Sequence, residues 1–191
     1  MSDVEHLASL RAYYKRTGAI PSMARLCDVV GLSSTSSVFA LIGRLTEAGY
    51  LERVDGRIAP TRRFFARPLL GSVRAGVPQP ADQSEPDVLT IDDYLIDDPN
   101  RTSLHKVRGD SMRDAGIFEG DLVVVEHNAP ASPGDVVLAV VDDELTVKTL
   151  RQERGGKFFL EAANQDFAPI RPRTSLEIMG IVVGIVRRMR R

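Results

Sequence analysis

Residues 31–59 read GLSSTSSVFALIGRLTEAGYLERVDGRIA, and their pattern predicts a helix followed by a β-hairpin. Two short runs, Tyr50–Val54 and Arg57–Ala59, flank Asp55-Gly56. An Asp-Gly pair favours a type I′ hairpin turn, because both central residues of that turn need positive φ. The helix before the hairpin is expected to end near Ala48, since Gly49 is a common helix stop. Four apolar residues share its inward face by their three- and four-residue spacing, namely Val38, Leu41, Ile42 and Leu45.

Two further helices are predicted upstream of this stretch. The first begins at a cap supplied by Ser2 or Asp3 and ends at Thr17-Gly18. Its expected inward residues are Val4, Leu7, Leu10 and Tyr14. The second begins near Ser22 and ends at Gly31, with Leu26, Val29 and Val30 inside. Three helices followed by a hairpin are the order of elements in a winged helix-turn-helix domain.

The third helix is the candidate DNA-reading element of this domain. Short hydroxyl side chains crowd its N-terminus, where free backbone N–H groups can bind phosphates or base edges. Arginines on the helix and on the hairpin are candidate contacts to the phosphate backbone. Each serine is equally well explained as a cap or turn residue, and each arginine as a solvated surface group. The predicted DNA-contacting residues are Ser33, Ser34, Thr35, Ser36, Ser37, Arg44, Arg53 and Arg57.

The charge of the 191-residue chain divides at about residue 70. Its 25 Lys and Arg nearly cancel its 26 Asp and Glu, and a net charge of −1 argues against a general polyanion binder. Residues 1–70, however, hold ten basic and six acidic side chains, whereas residues 71–191 hold fifteen and twenty. A net +4 segment joined to a net −5 segment indicates a nucleic-acid-binding module attached to a second domain. Residues 81–100 hold seven acidic residues and no basic one, which is typical of an exposed loop or ordered connector.

Composition excludes several classes of protein. With 43% hydrophobic and 27% charged residues, the chain is neither collagen-like nor wholly disordered. Cys27 is the only cysteine and there are three histidines, so we expect no disulfide, no metal site and no cofactor. The N-terminal residues MSDVEHLASLRAYY carry acidic groups where an export signal is positive, and no run approaches the roughly 18 apolar residues of a membrane span. The expected location is the cytoplasm, with no membrane partner.

The C-terminal part of the chain is expected to form a mostly β domain, because short Val-rich runs alternate there with Gly, Asp and Pro turns. The predicted fold class is therefore α+β in two domains. Residues 1–70 form the winged helix-turn-helix domain, residues 71–100 a connecting region and residues 101–191 the β domain.

Ser111 is the candidate nucleophile of the β domain. It lies in the turn-rich stretch GDSMRDAGIFEGD (109–121), where nearby backbone N–H groups can face a developing oxyanion. The alternative is a turn serine that only hydrogen bonds to the backbone, as most serines in such turns do. His105 and His127 are in the same domain but stand in no distinctive arrangement with an acid. Lys148 interrupts an apolar strand, where desolvation lowers the pKa of an amine and lets it accept a proton from serine. The alternative for Lys148 is an edge-strand lysine that prevents aggregation.

Three separately placed motifs resemble the LexA repressor family. GDSMRDAGIFEGD, followed 37 residues after Ser111 by Lys148 in ELTVKTL, is similar to its S24-type self-cleaving domain, which has a LexA/signal-peptidase-like fold. PLLGSVRAGVP (68–78) resembles the cleavage region of the family. TGAIPSMARLCDVVGL, followed by LTEAGYLERV, resembles its winged helix. The resemblance covers nearly the whole chain.

This resemblance implies a serine endopeptidase of Ser-Lys type that acts on its own chain. Ser111 is then the nucleophile, Lys148 the general base, and the backbone N–H groups of Asp110 and Ser111 the oxyanion donors. Ala75-Gly76 is the implied scissile pair. Arg74, just before it, is bulkier than the small residue common in the family.

The implied function is a repressor of DNA-damage (SOS) response genes that binds double-stranded operator DNA. The family dimerises through its C-terminal domain, and a RecA filament on single-stranded DNA stimulates cleavage. The apolar run Ile178–Val186 resembles the dimerisation region, although it is equally consistent with a core strand. Phe39 and Ala40 near the centre of the third helix depart from the usual polar pattern and predict a different operator.

Two alternatives remain at this point. A UmuD-like accessory protein of translesion synthesis is also self-processed, but it has only a short arm before its cleavage site. A prophage repressor differs mainly in genomic context. Neither the operator sequence nor the regulated genes follow from the residues.

Overall fold

The computed structural model describes residues 2–69 and 87–189. The chain divides into two compact units, Met1–Tyr94 and Leu95–Arg191. The N-terminal unit is mainly helical and the C-terminal unit is mainly β, so the predicted two-domain α+β fold class is confirmed.

Three helices and a hairpin open the first unit, in the predicted order. The hairpin turn has positive φ at both Asp55 (50°) and Gly56 (76°), as the Asp-Gly pair predicts. The elements are α1 (Asp3–Thr17), α2 (Met23–Val30), α3 (Thr35–Glu47), β1 (Leu51–Val54) and β2 (Arg57–Pro60). β1 and β2 are antiparallel.

The ends of the helices follow from local residue chemistry. Ser2 caps α1, because its hydroxyl accepts from the Glu5 N–H while the Glu5 carboxylate accepts from the Ser2 N–H at 2.6 Å. Gly18 and Gly31 end α1 and α2 in the left-handed conformation, with φ of 72° and 69°. Ser22 precedes α2 as predicted, but its side chain makes no capping hydrogen bond.

The core of the first unit lies between the three helices and the hairpin. The four predicted inward residues of α3 are all buried, and they pack with Leu7, Leu10, Leu26, Val30, Leu51 and Phe64. The prediction for Val4 was wrong, since 76% of its surface is exposed in the first turn of α1. His6 is buried instead, and its Nδ1 lies 2.9 Å from the carbonyl oxygen of Val30. This hydrogen bond allows a polar ring to occupy a core position.

Four short elements that the sequence pattern did not predict complete this part of the chain. They are α4 (Arg62–Phe65), β3 (Arg67–Leu69), β4 (Asp87–Leu89) and α5 (Ile91–Leu95). β3 and β4 pair as an antiparallel ribbon, in which Leu69 is opposite Asp87. The backbone is therefore paired immediately on either side of residues 70–86. The predicted cleavage residues Ala75 and Gly76 lie outside the described residues.

A six-stranded antiparallel sheet forms the second unit, with strand order β5-β6-β10-β7-β8-β9. Its strands are β5 (Thr102–Lys106), β6 (Leu122–His127), β7 (Val136–Val141), β8 (Glu144–Gln152), β9 (Phe158–Glu161) and β10 (Leu176–Val186). The last strand lies between β6 and β7 at the centre of the sheet. Two apolar clusters fill the unit, one around Val123 and Val125 and the other around Val137 and Leu160.

In residues 2–69 and 87–189, no single helix has the length and apolar composition to span a membrane; α2 and α3 reach them only together, as a pair bent by 86°.

Candidate active site and nucleic-acid interface

The turn that carries Ser111 connects β5 to β6, and buried side chains hold it in place. Gly109 begins it with a φ of 79°, a conformation that suits glycine. Met112 is 3% exposed and anchors the turn in the core. The Nδ2 of Asn164, itself 3% exposed, donates to the carbonyl oxygen of Asp110 at 3.1 Å. Ser111 is thus presented between two anchored neighbours.

Lys148 reaches the same point from β8. It lies opposite Val137 in the β7–β8 pairing, and its side chain is only 7% exposed. Its Nζ is within hydrogen-bond distance of three oxygens: Ser111 Oγ at 2.8 Å, Thr146 Oγ1 at 2.9 Å and the carbonyl oxygen of Val147 at 3.0 Å. Burial lowers the pKa of Lys148, because desolvation disfavours the ammonium form. The structure therefore brings the two predicted site residues into direct contact.

Both residues line one cleft of about 280 Å³. Val123 and Leu138 contribute apolar surface to it, and His105 stands on its wall. Among the described residues, the backbone N–H groups of Asp110 and Ser111 donate to no protein acceptor. A hydroxyl, an amine and unused N–H donors at the edge of a partly apolar cleft are the groups that acyl transfer needs.

Asp121 fixes the far end of the same turn-rich stretch. Its carboxylate, which is 2% exposed, accepts from the N–H of Phe118 at 2.8 Å and from two nitrogens of Arg187 at 2.6 Å. The hydrogen bonds from Arg187 lower the pKa of Asp121. Arg187 also donates to the carbonyl oxygen of Gly116 and stacks over the Phe118 ring, 4.4 Å from its centroid. The end of β10 thereby holds residues 116–121 in place.

Sequence reasoning missed Thr146 and Asn164. Thr146 had a readable signal, since it lies two residues before Lys148 and so on the same face of β8. Asn164 had none, because 54 residues separate it from Asp110 in the chain.

The histidines are used elsewhere. Ser103 Oγ lies 2.8 Å from His105 Nε2 and 2.6 Å from His127 Nε2, while His127 Nδ1 lies 2.8 Å from the carbonyl oxygen of Met179. Within residues 2–69 and 87–189, no histidine side chain forms a hydrogen bond with the hydroxyl of Ser111. The same residues contain no group of three His, Cys, Asp or Glu side chains able to hold a metal ion.

At the predicted DNA-binding surface, the hydroxyl-bearing residues before and within α3 have two roles. Ser34 is the N-cap, since its Oγ accepts from the Ser37 N–H at 3.2 Å and lies 2.8 Å from Ser37 Oγ. These two hydroxyls are therefore already engaged with each other. Ser33, Thr35 and Ser36 are exposed. The cap alternative therefore holds for Ser34, while DNA contact by the exposed residues stays a prediction.

The three arginines predicted to contact DNA also differ, since one is paired within the protein and two are exposed. Arg44 forms two hydrogen bonds with the Asp3 carboxylate, both of 2.8 Å, which lower the pKa of Asp3. Arg53 and Arg57 are exposed on the hairpin. Arg53 is opposite Ile58 and Arg57 is opposite Val54, so the two arginines leave opposite faces of the hairpin.

Comparisons with known proteins identify two family models in the chain. Residues 4–63 match the family model described as the LexA DNA binding domain, and residues 68–183 match the Peptidase S24-like model. The chain is 34% identical over 97% of its length to the LexA repressor of Caldicellulosiruptor saccharolyticus, of which it covers 95%. It is 36% identical to a LexA repressor of Mycobacterium sp., with 96% of this chain and 88% of that protein covered. For the LexA repressor of Shewanella woodyi the identity is 33%, with 96% and 93% covered.

Proposed function

This chain belongs to the LexA repressor family, and on that premise we propose that Ser111 and Lys148 hydrolyse its own Ala75-Gly76 bond when a RecA filament on single-stranded DNA is present. The protein is a LexA-like repressor of the SOS response with a self-cleaving peptidase domain. The proposal assigns the atoms that cleave, the bond that breaks and the signal that triggers the reaction.

One observation carries the assignment of the cleaving atoms. The 2.8 Å contact between Lys148 Nζ and Ser111 Oγ joins a hydroxyl in a turn to a largely buried amine 37 residues away. A buried ammonium without a carboxylate partner is costly, so the neutral amine is favoured more than it is in water. The neutral amine has two N–H groups and one lone pair. Thr146 Oγ1 and the Val147 carbonyl accept the two hydrogens, which leaves the lone pair for the Ser111 hydroxyl.

The proposed chemistry proceeds in two halves. Ser111 Oγ attacks the carbonyl carbon of Ala75 while its proton passes to Lys148 Nζ. The oxyanion that forms is stabilised by the unused N–H groups of Asp110 and Ser111. When the C–N bond breaks, the Lys148 ammonium returns the proton to the departing amine of Gly76. Water then attacks the acyl-serine ester while Lys148 accepts its proton, and Lys148 returns that proton to Ser111 Oγ as the ester C–O bond breaks and the Ala75 carboxyl group departs.

Cleavage of this bond separates the two functions of the repressor. The family binds DNA and homodimerises, and a dimer that reads two half-sites gains affinity that a single DNA-binding domain lacks. The proposed cut leaves the winged helix on one fragment and the C-terminal sheet, which we propose to be the dimerisation unit, on the other. Operator occupancy then falls and the repressed genes are expressed.

Fragment mapping tests the proposed bond. The purified full chain is incubated with RecA, single-stranded DNA and a nucleotide, and the masses of the products are measured by mass spectrometry. We expect fragments of residues 1–75 and 76–191, and another junction would refute the assignment. Cleavage within one chain gives a first-order rate constant that does not change over a tenfold range of protein concentration, whereas cleavage between chains gives a rate constant that rises with it.

Salt titration tests the proposed phosphate contacts. Each phosphate neutralised by an arginine releases counterions, so the logarithm of affinity falls linearly with the logarithm of salt concentration. Arg53→Ala and Arg57→Ala are each expected to weaken binding evenly across DNA sequences and to reduce the salt slope by about one. If the salt slope is unchanged in both variants, the hairpin is not part of the DNA-binding surface.

A further inference from the structure

The face of α3 directed away from the core carries a stripe of four uncharged residues. Phe39 and Ala40 each lie three or four residues from both Ser36 and Gly43, so the four residues share one face of the helix. This face is opposite the buried side chains Val38, Leu41, Ile42 and Leu45. All four residues of the stripe are exposed. Phe39 is the large member, with 56% of its surface open to solvent. A phenyl ring left this exposed at the centre of a helix loses the stabilisation that burial would give it.

Gly43 is a second and independent sign that this face serves a partner. A glycine inside a helix costs about 1 kcal/mol relative to alanine. At Gly43 the backbone is helical and a Cβ atom would meet nothing within 4 Å. The fold of the unit therefore gives no reason for glycine here. A residue without a side chain is useful where something outside the unit must approach the helix backbone closely.

The charges around the stripe limit what that partner surface can be. Over the roughly two turns from Ser36 to Gly43 the stripe has no ionisable group, and Arg44 beside it is engaged by Asp3. The first charged residue in line with the stripe is Glu47, one turn beyond Gly43 at the C-terminal end of the helix. This strip of surface is therefore suited to uncharged base edges rather than to phosphates. The apolar group that base edges present in the major groove is the 5-methyl group of thymine.

We propose that Phe39 reads thymine methyl groups in the operator, and that Ala40 and Gly43 let α3 approach the base edges closely enough for this contact. The inference rests on the proposed operator binding by α3 and names the chemical group that this helix selects. Ser36, exposed one turn before Phe39, completes the stripe with a hydroxyl for an adjacent base. Specificity at these positions then comes from methyl burial instead of the bidentate hydrogen bonds that Arg, Asn or Gln would supply.

A methyl deletion in the DNA tests this directly. The operator is first selected from a random duplex library with the full chain carrying Ser111→Ala, so that cleavage does not interfere. Each thymine in the selected half-site is then replaced by deoxyuridine, which removes only the methyl group. We expect at least one thymine whose replacement weakens binding about fourfold in one half-site and about sixteenfold in both, the effect of one buried methyl group per half-site.

The protein variants assign the effect to the stripe. Phe39→Ala should bind the thymine and deoxyuridine operators equally, whereas Phe158→Ala, the same change at an exposed ring of the other unit, should retain the fourfold difference. Gly43→Ala should raise Tm by a few degrees through helix propensity and yet weaken operator binding at least tenfold.

The possible outcomes distinguish operator binding by α3 from the contact of Phe39 with a thymine methyl group. Failure to select any DNA sequence would refute operator binding itself. A selected operator that binds equally well with deoxyuridine at every thymine would overturn the methyl contact and leave operator binding standing. A change in oligomeric state of Phe39→Ala, without a change in thymine preference, would assign the stripe to a protein contact and also overturn the inference.

Discussion

Ser111 and Ser103 lie in the same unit, and each hydroxyl is hydrogen bonded to a basic side chain. Ser111 contacts one lysine at 2.8 Å, while Ser103 contacts two histidines at 2.6 and 2.8 Å. By distance alone, Ser103 beside His127 resembles a nucleophile beside its base more closely than Ser111 does. The surroundings reverse that ranking. Ser111 is in a turn beside N–H groups that have no acceptor among the described residues, whereas Ser103 lies within β5, a regular strand paired with β6.

The histidines around Ser103 also form a closed hydrogen-bond network. The carbonyl oxygen of Met179 can only accept, so His127 Nδ1 carries the hydrogen and His127 Nε2 accepts from the Ser103 hydroxyl. Ser103 Oγ can then accept from His105 Nε2. The Ser103 hydroxyl and both ring nitrogens of His127 are thus engaged with one another or with the backbone. Ser111 is the stronger candidate because its hydroxyl faces a single amine and adjoins two consecutive backbone N–H groups without an acceptor among the described residues.

The largest expected effect separates the two serines directly. Ser111→Ala should reduce self-cleavage by at least about 10³-fold, because it removes the nucleophile. Ser103→Ala makes the same chemical change in the same unit, and its cleavage rate should stay within about threefold of the wild-type rate. Both are measured by the loss of full-length chain on a denaturing gel. Equal losses of cleavage in the two variants would refute the assignment of Ser111 alone as the nucleophile.

The pH dependence of cleavage distinguishes the lysine from the histidines. If neutral Lys148 is the base, the rate should rise about tenfold per pH unit and level off at the pKa of Lys148, which burial holds below the ordinary lysine value. The folded-state pKa is lowered, so the stability that this group contributes is greatest above the unfolded-state pKa and is lost as pH falls. Lys148→Met should accordingly lose cleavage and gain in Tm relative to wild type as pH falls from 10 to 7. A rate that levels off near pH 6.5 would point to histidine instead.

The smallest expected effect concerns the Ser103 network. His127→Ala removes two hydrogen bonds inside the sheet, so the free energy of unfolding should fall by about 1–2 kcal/mol. The cleavage rate of the folded protein should change less than twofold, because neither bond touches Ser111. Urea unfolding and cleavage assays on the same preparation measure both quantities. A large loss of cleavage at unchanged stability would show that this network takes part in the reaction.

The comparison also explains what the sequence could predict. The inward face of α3, the hairpin turn and the pairing of Ser111 with Lys148 were accessible, since periodicity, turn chemistry and a family motif each depend on nearby residues or on a known pattern. Val4 was assigned inward because periodicity does not register how far the first turn extends beyond the core. Asn164 beneath Asp110 and the Arg44–Asp3 pair were not predictable, because each joins residues more than 40 positions apart. Such contacts arise only when the tertiary fold brings the partners together.

The ribbon of β3 and β4 gives the proposed cut a further thermodynamic meaning. Its three residue pairs join Arg67–Leu69 to Asp87–Leu89, and the 17 residues between them make this pairing intramolecular. A short tether of this kind holds two strands at an effective concentration in the millimolar range. A cut at any bond within residues 70–86 turns the ribbon into an association between separate molecules, and three residue pairs are far too few to hold separate chains together. Hydrolysis of one bond therefore lets one strand diffuse away from the other, and the ribbon is lost although the strength of its contacts is unchanged.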